Sequence, residues 1–201
     1  MLKNIIFDFG QVLVRFDPYY MTKAYIEDEN DCLLSMDVIF DRLYWDRLDM
    51  GTITDDEVKE GICSRLPKRL HEKAIAVYDN WMFHLPFIDG MKELVYSLKK
   101  SGKKLFLLSN ISIGFSEKYE LVPEVNEVLS LFDGLVLSGP IGLIKPYKDI
   151  FNHLLTKYSL DANECIFIDD NEKNIEGSNN VGIEGYLFDG DAKKLKRYLE
   201  E

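Results

Sequence analysis

Short apolar runs alternate along the chain with longer stretches of helical periodicity, and this pattern predicts an α/β fold. The first run, Asn4–Phe7, is too short and too β-branched for a helix and lacks polar alternation, which indicates a strand buried on both faces. Similar runs follow at Lys104–Leu108, Leu135–Leu137, Ile166–Ile168 and Gly185–Phe188. Because strands that alternate with helices form right-handed βαβ units, we expect a doubly wound parallel sheet.

The long segment between the first two runs shows helical periodicity only. It opens at Asp17–Pro18, a helix-entry signal, and apolar residues recur at helical spacing in Tyr19–Ile26 and Leu33–Trp45. Thr54–Glu57 resembles a capping box, in which the first and last side chains satisfy each other's backbone N–H groups. These features predict a small bundle of helices.

This change of pattern predicts two domains. We expect the helical bundle to occupy residues 17–88 and to be inserted into an α/β core made of residues 1–16 and 89–201. The Pro and Gly residues of Leu85–Gly90 mark the return to the core, and Met91–Leu98 then has the periodicity of an amphipathic helix. The chain therefore leaves the core after the first strand and rejoins it before the second.

Composition and charge restrict the partners. The chain has 201 residues, 46% of them hydrophobic and 29% charged, which argues against disorder. Its net charge of −11 disfavours binding to nucleic acids and to anionic membranes, both of which need clustered Lys and Arg. Most of this charge lies in the helical segment, where 15 acids face 8 bases between Asp17 and Ile88. We expect that segment to act as a lid over a small anion that is neutralised beneath it.

The cysteines and the apolar runs predict the compartment. Cys32, Cys63 and Cys165 are odd in number and widely spaced, so we expect core thiols rather than disulfides or a zinc site. No long apolar run precedes Asp8, and no later segment approaches about 18 uncharged apolar residues. A cytoplasmic protein is therefore expected.

Polar residues follow the predicted strands, and parallel strands bring them to one edge of the sheet. Asp8 follows the first strand, Ser109–Asn110 the second and Asp169–Asp170 the fourth, while Lys145 lies downstream of the third. Ligands of open α/β sheets bind at this carboxyl edge. The convergence predicts an active site that contains a carboxylate, a hydroxyl, a lysine and a pair of acids.

These residue types suit the transfer of a phosphoryl group to a side chain. Such a transfer needs an in-line nucleophile, donors for the equatorial oxygens and a cation, usually Mg²⁺, to offset the charge. Asp8 is the candidate nucleophile. Mg²⁺ prefers oxygen ligands, which Asp8, the Gly10 carbonyl and Asp170 with its neighbour Asp169 would supply.

The remaining candidates would hold the phosphate. The Ser109 hydroxyl and the Asn110 backbone N–H are donors at a turn suited to anions, and Lys145 adds a positive charge. Gln11 would bind phosphate or orient a water molecule, but its amide does not titrate and cannot act as a base. We therefore assign Asp8, Ser109 and Lys145 to catalysis, with Asn110 and Gln11 in substrate binding.

Each of these residues also has a purely structural explanation. Asp8 can form a turn, Ser109–Asn110 can cap the next helix, Lys145 can be a solvated loop charge, and Asp169–Asp170 can cap the helix that starts near Asn171. The aromatic residues of the helical segment are expected in its core, and His84 is expected to be an ordinary buried or surface histidine. The functional interpretation depends on the four groups occurring together and in order.

The chain resembles the haloacid dehalogenase superfamily of phosphotransferases. The four family motifs correspond to Ile6–Asp8, Leu108–Asn110, Lys145–Pro146 and Ile168–Asp170. The resemblance implies a Rossmann-like core with a small helical cap, Mg²⁺ as cofactor and a small phosphorylated metabolite as substrate. The detailed motifs, including Asp169–Gly177, look most like a bacterial branch that contains an α-glucose-1-phosphate phosphatase.

One position departs from the family pattern. Most phosphatases of the superfamily carry a second Asp two residues after the nucleophile, where it protonates the leaving group, and this chain has Gly10 there. Loss of general acid–base catalysis typically slows a reaction by about 10²–10⁴-fold. The resembling sugar-phosphatase branch shares this Gly, which suggests a substrate with a good leaving group or a proton delivered by water.

Three functions from different classes follow. The first is a Mg²⁺-dependent phosphatase that forms an aspartyl-phosphate on Asp8. The second is a dehalogenase, which would need no metal and leaves Asp170 unexplained. The third is a phosphate-binding module that no longer turns over a substrate because Gly10 stands in place of the second Asp.

Receiver domains of signalling systems are excluded, because their acid pair precedes the phosphoacceptor and their lysine comes last.

Overall fold

Five short strands form the centre of the computed structural model, which describes residues 2–200. The strands are β1 (Asn4–Phe7), β2 (Lys104–Ser109), β3 (Gly134–Leu137), β4 (Cys165–Asp169) and β5 (Glu184–Leu187). They form one parallel sheet in the order β3-β2-β1-β4-β5. The predicted parallel sheet is confirmed, and β1 has the predicted bounds.

The central strand β1 is buried on both faces. Ile5 and Phe7 belong to the hydrophobic cluster on one face of the sheet, and Ile6 belongs to the cluster on the other. All three side chains are fully buried. Alternate side chains of a strand point to opposite faces, so a strand covered on both sides needs apolar residues at every position. This explains the uninterrupted apolar run before Asp8.

Five helices lie in the segment between β1 and Leu85, and most of them share a hydrophobic cluster of their own. They are α1 (Pro18–Lys23), α2 (Glu29–Ile39), α3 (Arg42–Asp49), α4 (Asp55–Arg65) and α5 (His71–Asn80), with 3₁₀ turns at Lys68–Leu70 and Trp81–His84. The predicted capping box is present at the start of α4, where Thr54 and Glu57 bond each other's backbone N–H. The cluster joins α2 to α5, and Val58, Ile62 and Val77 lie at its centre, fully buried.

The predicted amphipathic stretch Leu33–Trp45 is two helices rather than one. Phe40 ends α2, and the Asp41 side chain accepts a hydrogen bond from the Leu43 backbone N–H at the start of α3. An Asp at this position satisfies a backbone donor that has no partner within the helix. The apolar periodicity continues across the break, which is why the pattern alone did not locate it.

Seven further helices cover the two faces of the sheet. They are α6 (Met91–Lys100), α7 (Ile113–Lys118), α8 (Pro123–Leu129), α9 (Ser138–Ile141), α10 (Lys148–Tyr158), α11 (Glu172–Asn179) and α12 (Ala192–Glu200), with 3₁₀ turns at Tyr119–Leu121 and Ala162–Glu164. Residues of α6, α7, α8 and α12 pack on one face, and residues of α10 and α11 on the other. Helices on both faces make the fold the doubly wound α/β type that was predicted.

The two crossings between the sheet and the inserted helices run side by side. The Arg15 backbone N–H donates to the Pro86 carbonyl at 2.8 Å, and the Ile88 N–H donates to the Leu13 carbonyl at 3.0 Å. Val14 and Phe87 form an antiparallel bridge between these bonds. The two crossings of the chain are therefore adjacent and share one isolated β-bridge, while the domain division at residues 17 and 88 remains a prediction. Within residues 2–200, no helix is both long enough and apolar enough to span a bilayer.

Candidate active site

A cavity of about 320 Å³ lies at the carboxyl edge of the sheet, beneath the inserted helices. Its lining includes all but one of the predicted site residues, namely Asp8, Gly10, Gln11, Ser109, Asn110, Lys145 and Asp170. The remaining residue, Asp169, lies behind the lining with its side chain fully buried. The convergence expected from the ends of parallel strands thus occurs.

Lys145 is the electrostatic centre of the site. Its Nζ lies 2.8 Å from Asp8 Oδ1 and 2.7 Å from Asp169 Oδ2, and the residue is only 3% exposed. A lysine is rarely so buried unless carboxylates pair with it. The structural alternative for Lys145, a solvated loop charge, does not describe this side chain.

The Asn110 side chain holds the backbone of Lys145. Its Oδ1 accepts from the Lys145 N–H at 2.8 Å, and its Nδ2 donates to the Lys145 carbonyl at 3.1 Å. The helix that follows, α7, is capped by Ser112 instead, whose hydroxyl accepts from the Phe115 N–H. Asn110 therefore positions the lysine loop rather than capping a helix, and only its backbone remains a candidate for phosphate binding.

Asp169 is occupied by protein donors on both oxygens. Oδ1 accepts from the Asn171 N–H at 2.8 Å and Oδ2 from Lys145, while Asn174 Nδ2 lies 3.1 Å from each oxygen. The cap of α11 is Asn171, not the acid pair. Asn174 is buried and was missed by the sequence reasoning, because an Asn inside a helix carries no signal of its partner. Asp169 thus anchors Lys145, and its assignment as a metal ligand remains a prediction.

Three acids share this small region with one lysine. Carboxylate oxygens of Asp8, Asp169 and Asp170 lie within 4.8 Å of one another, and Asp170 is exposed to the cavity. Asp8 Oδ1 is buried and accepts no well-directed hydrogen bond, although Lys145 lies at ion-pair distance. Oxygen donors with excess negative charge are what a hard divalent cation requires. Asp8 and Asp170 accordingly fit Mg²⁺, and the Gly10 carbonyl as a further ligand remains a prediction.

Burial governs the protonation of these groups. Desolvation raises the pKa of Asp8 to about 6, with the nearby charge of Asp169 acting in the same direction and Lys145 opposing both. Burial also disfavours the charged form of Lys145, but Asp8 and Asp169 outweigh it and raise the lysine pKa. The pKa of Asp170 is raised by its partial burial and by Asp169. Lys145 therefore stays charged, and the three carboxyl groups around it favour binding of a further cation.

Two other predicted residues differ in their readiness to bind a ligand. Ser109 ends β2 at the cavity and is almost fully buried, and its hydroxyl has no hydrogen bond to any part of the chain that the structure describes. Gln11 is exposed and donates its side-chain N–H to the Phe16 carbonyl at 3.0 Å. The Ser109 hydroxyl is therefore available to bind a phosphate oxygen, whereas the Gln11 side chain would first have to break its hydrogen bond to the Phe16 carbonyl.

The upper wall of the cavity was not identified from the sequence. Aromatic rings line it at Phe16, Phe40, Trp45 and Trp81. They contact one another in edge and stacked arrangements at 5.2–5.8 Å between centroids. Phe40, Trp45 and Trp81 were expected in the core of the helical bundle, and they instead lie between the bundle and the sheet. His84 is bonded to the Tyr25 hydroxyl and is not part of the lining.

One helix of the inserted segment adds charged groups to this wall. Arg42, Asp46 and Asp49 of α3 line the cavity together with Trp45. Their spacing of three and four residues places them on one side of the helix. The sequence carried this periodicity, but nothing in it showed that the polar stripe faces the sheet rather than solvent.

The fold and the site together define an α/β enzyme whose reactive groups lie at the carboxyl edge of a parallel sheet, beneath a helical insertion. The chain belongs to the haloacid dehalogenase-like hydrolases, since the model of that family matches residues 35–187. The predicted family is confirmed. The match begins after Asp8, so the role of that residue rests on the site geometry.

Two relatives that match most of the chain are named as phosphatases. The chain is 26% identical to a sesquiterpene phosphatase of Aspergillus oryzae, over 91% of this chain and 88% of that protein. It is also 26% identical to a D-ribitol-5-phosphate phosphatase of Bacteroides thetaiotaomicron, over 92% and 91%. A solved enzyme of the family from Bacteroides thetaiotaomicron, in complex with magnesium, superposes with a TM-score of 0.75 at 23% identity and covers 98% of both chains.

Proposed function

We propose that this protein is a Mg²⁺-dependent phosphatase that hydrolyses a small phosphomonoester through an aspartyl-phosphate on Asp8. The observation that carries the proposal is the pairing of Asp8 with buried Lys145 at the end of the central strand, with Asp170 beside them. The phosphatase activity of the two relatives named above supports the reaction class. The α-glucose-1-phosphate branch remains one candidate for the substrate.

Each site residue would have its own role in such a reaction. Asp8 would attack the phosphorus and form the acyl phosphate, and the Ser109 hydroxyl would donate to one of the phosphate oxygens. Lys145 neutralises part of the charge and holds Asp8 in place, while Asp169 fixes the lysine. Bound Mg²⁺, held by Asp8, Asp170 and the Gly10 carbonyl, would offset the charge of the phosphate.

We further propose that residues 17–88 form a cap that selects the substrate. The aromatic wall at Phe16, Phe40, Trp45 and Trp81 offers an apolar surface above the reactive carboxylate. Such a surface suits the carbon skeleton of a polyol, a sugar or a terpenoid. An enclosed site near the carboxylate would also keep bulk water from the reaction. The three free cysteines support a cytoplasmic location.

The test is phosphate release from a panel of esters. The panel contains D-ribitol 5-phosphate, α-glucose 1-phosphate, farnesyl phosphate and p-nitrophenyl phosphate, each with Mg²⁺ and with EDTA. We expect turnover of at least one ester with Mg²⁺ and loss of turnover with EDTA. Asp8→Asn should lower the rate by about 10³-fold or more, because it removes the nucleophile and keeps the shape. Equal release by Asp8→Asn and wild type would contradict the proposal.

Two other outcomes would favour the alternative functions. Halide release from a 2-haloacid that is indifferent to EDTA would indicate a dehalogenase. Tight binding of inorganic phosphate without turnover of any ester would indicate a binding module. The cavity-facing carboxylate of Asp170 favours the phosphatase over the dehalogenase, because an attack on carbon needs no second acid for a metal.

A further inference from the structure

The position of Gly10 raises the question of which group supplies the proton to the leaving oxygen. An alkoxide is a poor leaving group, so hydrolysis of an alkyl phosphate gains from a general acid. A Cβ at Gly10 would have no neighbour within 4 Å, so the space that an acid would fill is open. Lys145 is already paired with Asp8 and Asp169. The proton must come from elsewhere in the cavity.

The α3 helix presents one unpaired acid to this space. Arg42 and Asp46 form an ion pair at 2.8 Å, with side chains 86% and 50% exposed, at the solvent end of the stripe. Asp49 lies about one turn further along and is only partly exposed. Its side chain has no hydrogen bond or ion pair with any residue from 2 to 200, yet its charge interacts with those of Asp8 and Lys145. Asp49 thus faces the reactive centre without a protein partner.

The backbone after α3 fixes Asp49 against the core. Gly51 has a φ of 65°, and a Cβ placed there would overlap the Gly139 carbonyl oxygen. Gly139 lies in α9, directly after β3, so the turn that follows Asp49 packs on the backbone of the sheet domain. Only Gly permits so close an approach in this conformation. The end of α3 is therefore anchored to the domain that carries Asp8.

The surroundings of Asp49 favour its protonated form. Burial raises the pKa of Asp49 to about 7, and the charges of Asp46 and Asp8 act in the same direction. Lys145 and Arg42 oppose this effect, and Asp170 is a further acid of the same cavity. A carboxyl group with a pKa near the working pH is suited to giving and regaining a proton.

We propose that Asp49 is the general acid of this enzyme and takes the role of the second Asp, which is absent because position 10 is Gly. The inference rests on the proposed function. As Asp8 bonds to phosphorus, the bond from phosphorus to the leaving oxygen breaks, and the Asp49 carboxyl proton passes to that oxygen. The products of this step are the free alcohol, the phosphorylated Asp8 and the Asp49 carboxylate.

The test compares two leaving groups in Asp49→Asn. The p-nitrophenolate ion departs without a proton, whereas an alkoxide does not, so only the alkyl ester depends on the acid. The quantity to measure is kcat/KM, which includes steps up to departure of the alcohol and excludes later hydrolysis of the acyl phosphate. We expect kcat/KM to fall by about 100-fold or more for the best alkyl phosphate of the panel, and by less than about 5-fold for p-nitrophenyl phosphate.

Two further variants provide a control and a rescue. Asp37→Asn removes an equal charge from an exposed position on α2 that does not line the cavity, and it should change kcat/KM for either ester by less than about 3-fold. Gly10→Asp in the Asp49→Asn background places a carboxyl where the cavity has room for it. We expect this double variant to recover at least about 10-fold of the lost alkyl phosphatase activity.

Other results would overturn the role of Asp49. Equal losses for both esters would indicate a general effect on the site, and no loss for the alkyl ester would show that another group supplies the proton. A double variant as slow as Asp49→Asn on the alkyl ester, but active on p-nitrophenyl phosphate, would also contradict it. Failure of the proposed function is distinct, because the wild type would then release no phosphate from either ester.

Discussion

At the scale of single residues, the site is dominated by a charge imbalance that the fold maintains. Lys145 lies within ion-pair distance of two carboxylates, and water screens Lys145 and Asp169 little because both side chains are buried. Removing one member of a buried ionic group is costly because its partners remain charged in a medium of low polarity. In the proposed reaction, the same imbalance would attract a cation and then an anion.

Replacement of this lysine should destabilise the protein. Lys145→Met leaves Asp8 and Asp169 facing each other, and we expect the free energy of unfolding to fall by about 3–5 kcal/mol in urea titrations with EDTA at pH 8. The double variant Asp8→Asn/Lys145→Met removes one of the repelling charges and should recover part of this loss. Equal stabilities of the single and double variants would show that the unpaired charge of Asp8 does not cause the loss.

Asp49 should lower the free energy of unfolding at pH values near 7, where we propose that it acts as the general acid. Its pKa is about 7 in the folded protein, against an ordinary value of 3.8. Between these values the folded protein binds more protons than the unfolded chain, so stability falls as the pH rises from about 4 to 7. Asp49→Asn removes this penalty, which is at most about 4 kcal/mol and is reduced by partial exposure.

Thermal and urea unfolding across pH check this expectation. Asp49→Asn should be more stable than wild type at pH 8, and the difference should shrink towards zero as the pH falls to about 4. Asp46→Asn, which alters an exposed ion pair of the same helix, should change stability by less than about 1 kcal/mol. A less stable Asp49→Asn at pH 8 would mean that the carboxylate is favourably bound in the folded protein.

At the scale of secondary structure elements, the break between α2 and α3 determines which side chains reach the cavity. Asp41 caps α3 and also pairs with Arg65 of α4 at 2.7 Å. The cap fixes where the helix begins and therefore the direction in which Arg42, Asp46 and Asp49 point. A continuous helix through Phe40 would have rotated this stripe differently.

Loss of this cap should be measurable. We expect Asp41→Ala to lower the free energy of unfolding by about 1 kcal/mol, because the Leu43 N–H loses its acceptor. Asp41→Asn keeps an acceptor and loses only the exposed ion pair, so its effect should stay below about 0.5 kcal/mol. Urea titrations at pH 8 distinguish these values, and identical losses in the two variants would assign the effect to Arg65 instead.

Helices and strands were predicted correctly from the sequence where a single physical effect determined the pattern of residues. The apolar run Asn4–Phe7 predicted β1 correctly because a strand that is buried on both faces needs apolar residues at every position. The Thr54–Glu57 capping box predicted the start of α4 because its hydrogen bonds involve only residues close in sequence. The Asp41 break was missed because the apolar periodicity spans it. Asn174 and Asp49 were missed because their roles depend on tertiary placement, which no local pattern encodes.

At the scale of the whole molecule, the site is completed by two parts of the chain whose crossings share one isolated β-bridge. The sheet supplies Asp8, Lys145 and Asp170, while the inserted helices supply the aromatic wall and Asp49. An acidic cap over an acidic centre repels a free phosphate ester unless a cation is present. Binding of metal and substrate should therefore be coupled to the position of the cap.

Both tryptophans of the chain line the cavity, so intrinsic fluorescence should report ligand binding without a label. Trp45 lies on α3 and Trp81 follows α5, and their rings are 5.2 Å apart. Inorganic phosphate bound with Mg²⁺ beneath them changes the polarity and water content around the indoles. We expect a saturable change in emission with phosphate in the presence of Mg²⁺, and a much smaller one in EDTA.

Two variants show whether this signal comes from the site. In Lys145→Met the response to phosphate should be lost, because the charge that holds the anion is gone while both indoles remain. In Trp45→Phe the response should persist through Trp81, whose ring also stacks on Phe115 of the core at 5.9 Å. If phosphate binds by calorimetry and emission stays unchanged, ligand binding in the sheet domain does not reach the cap, and the coupling of the two parts fails.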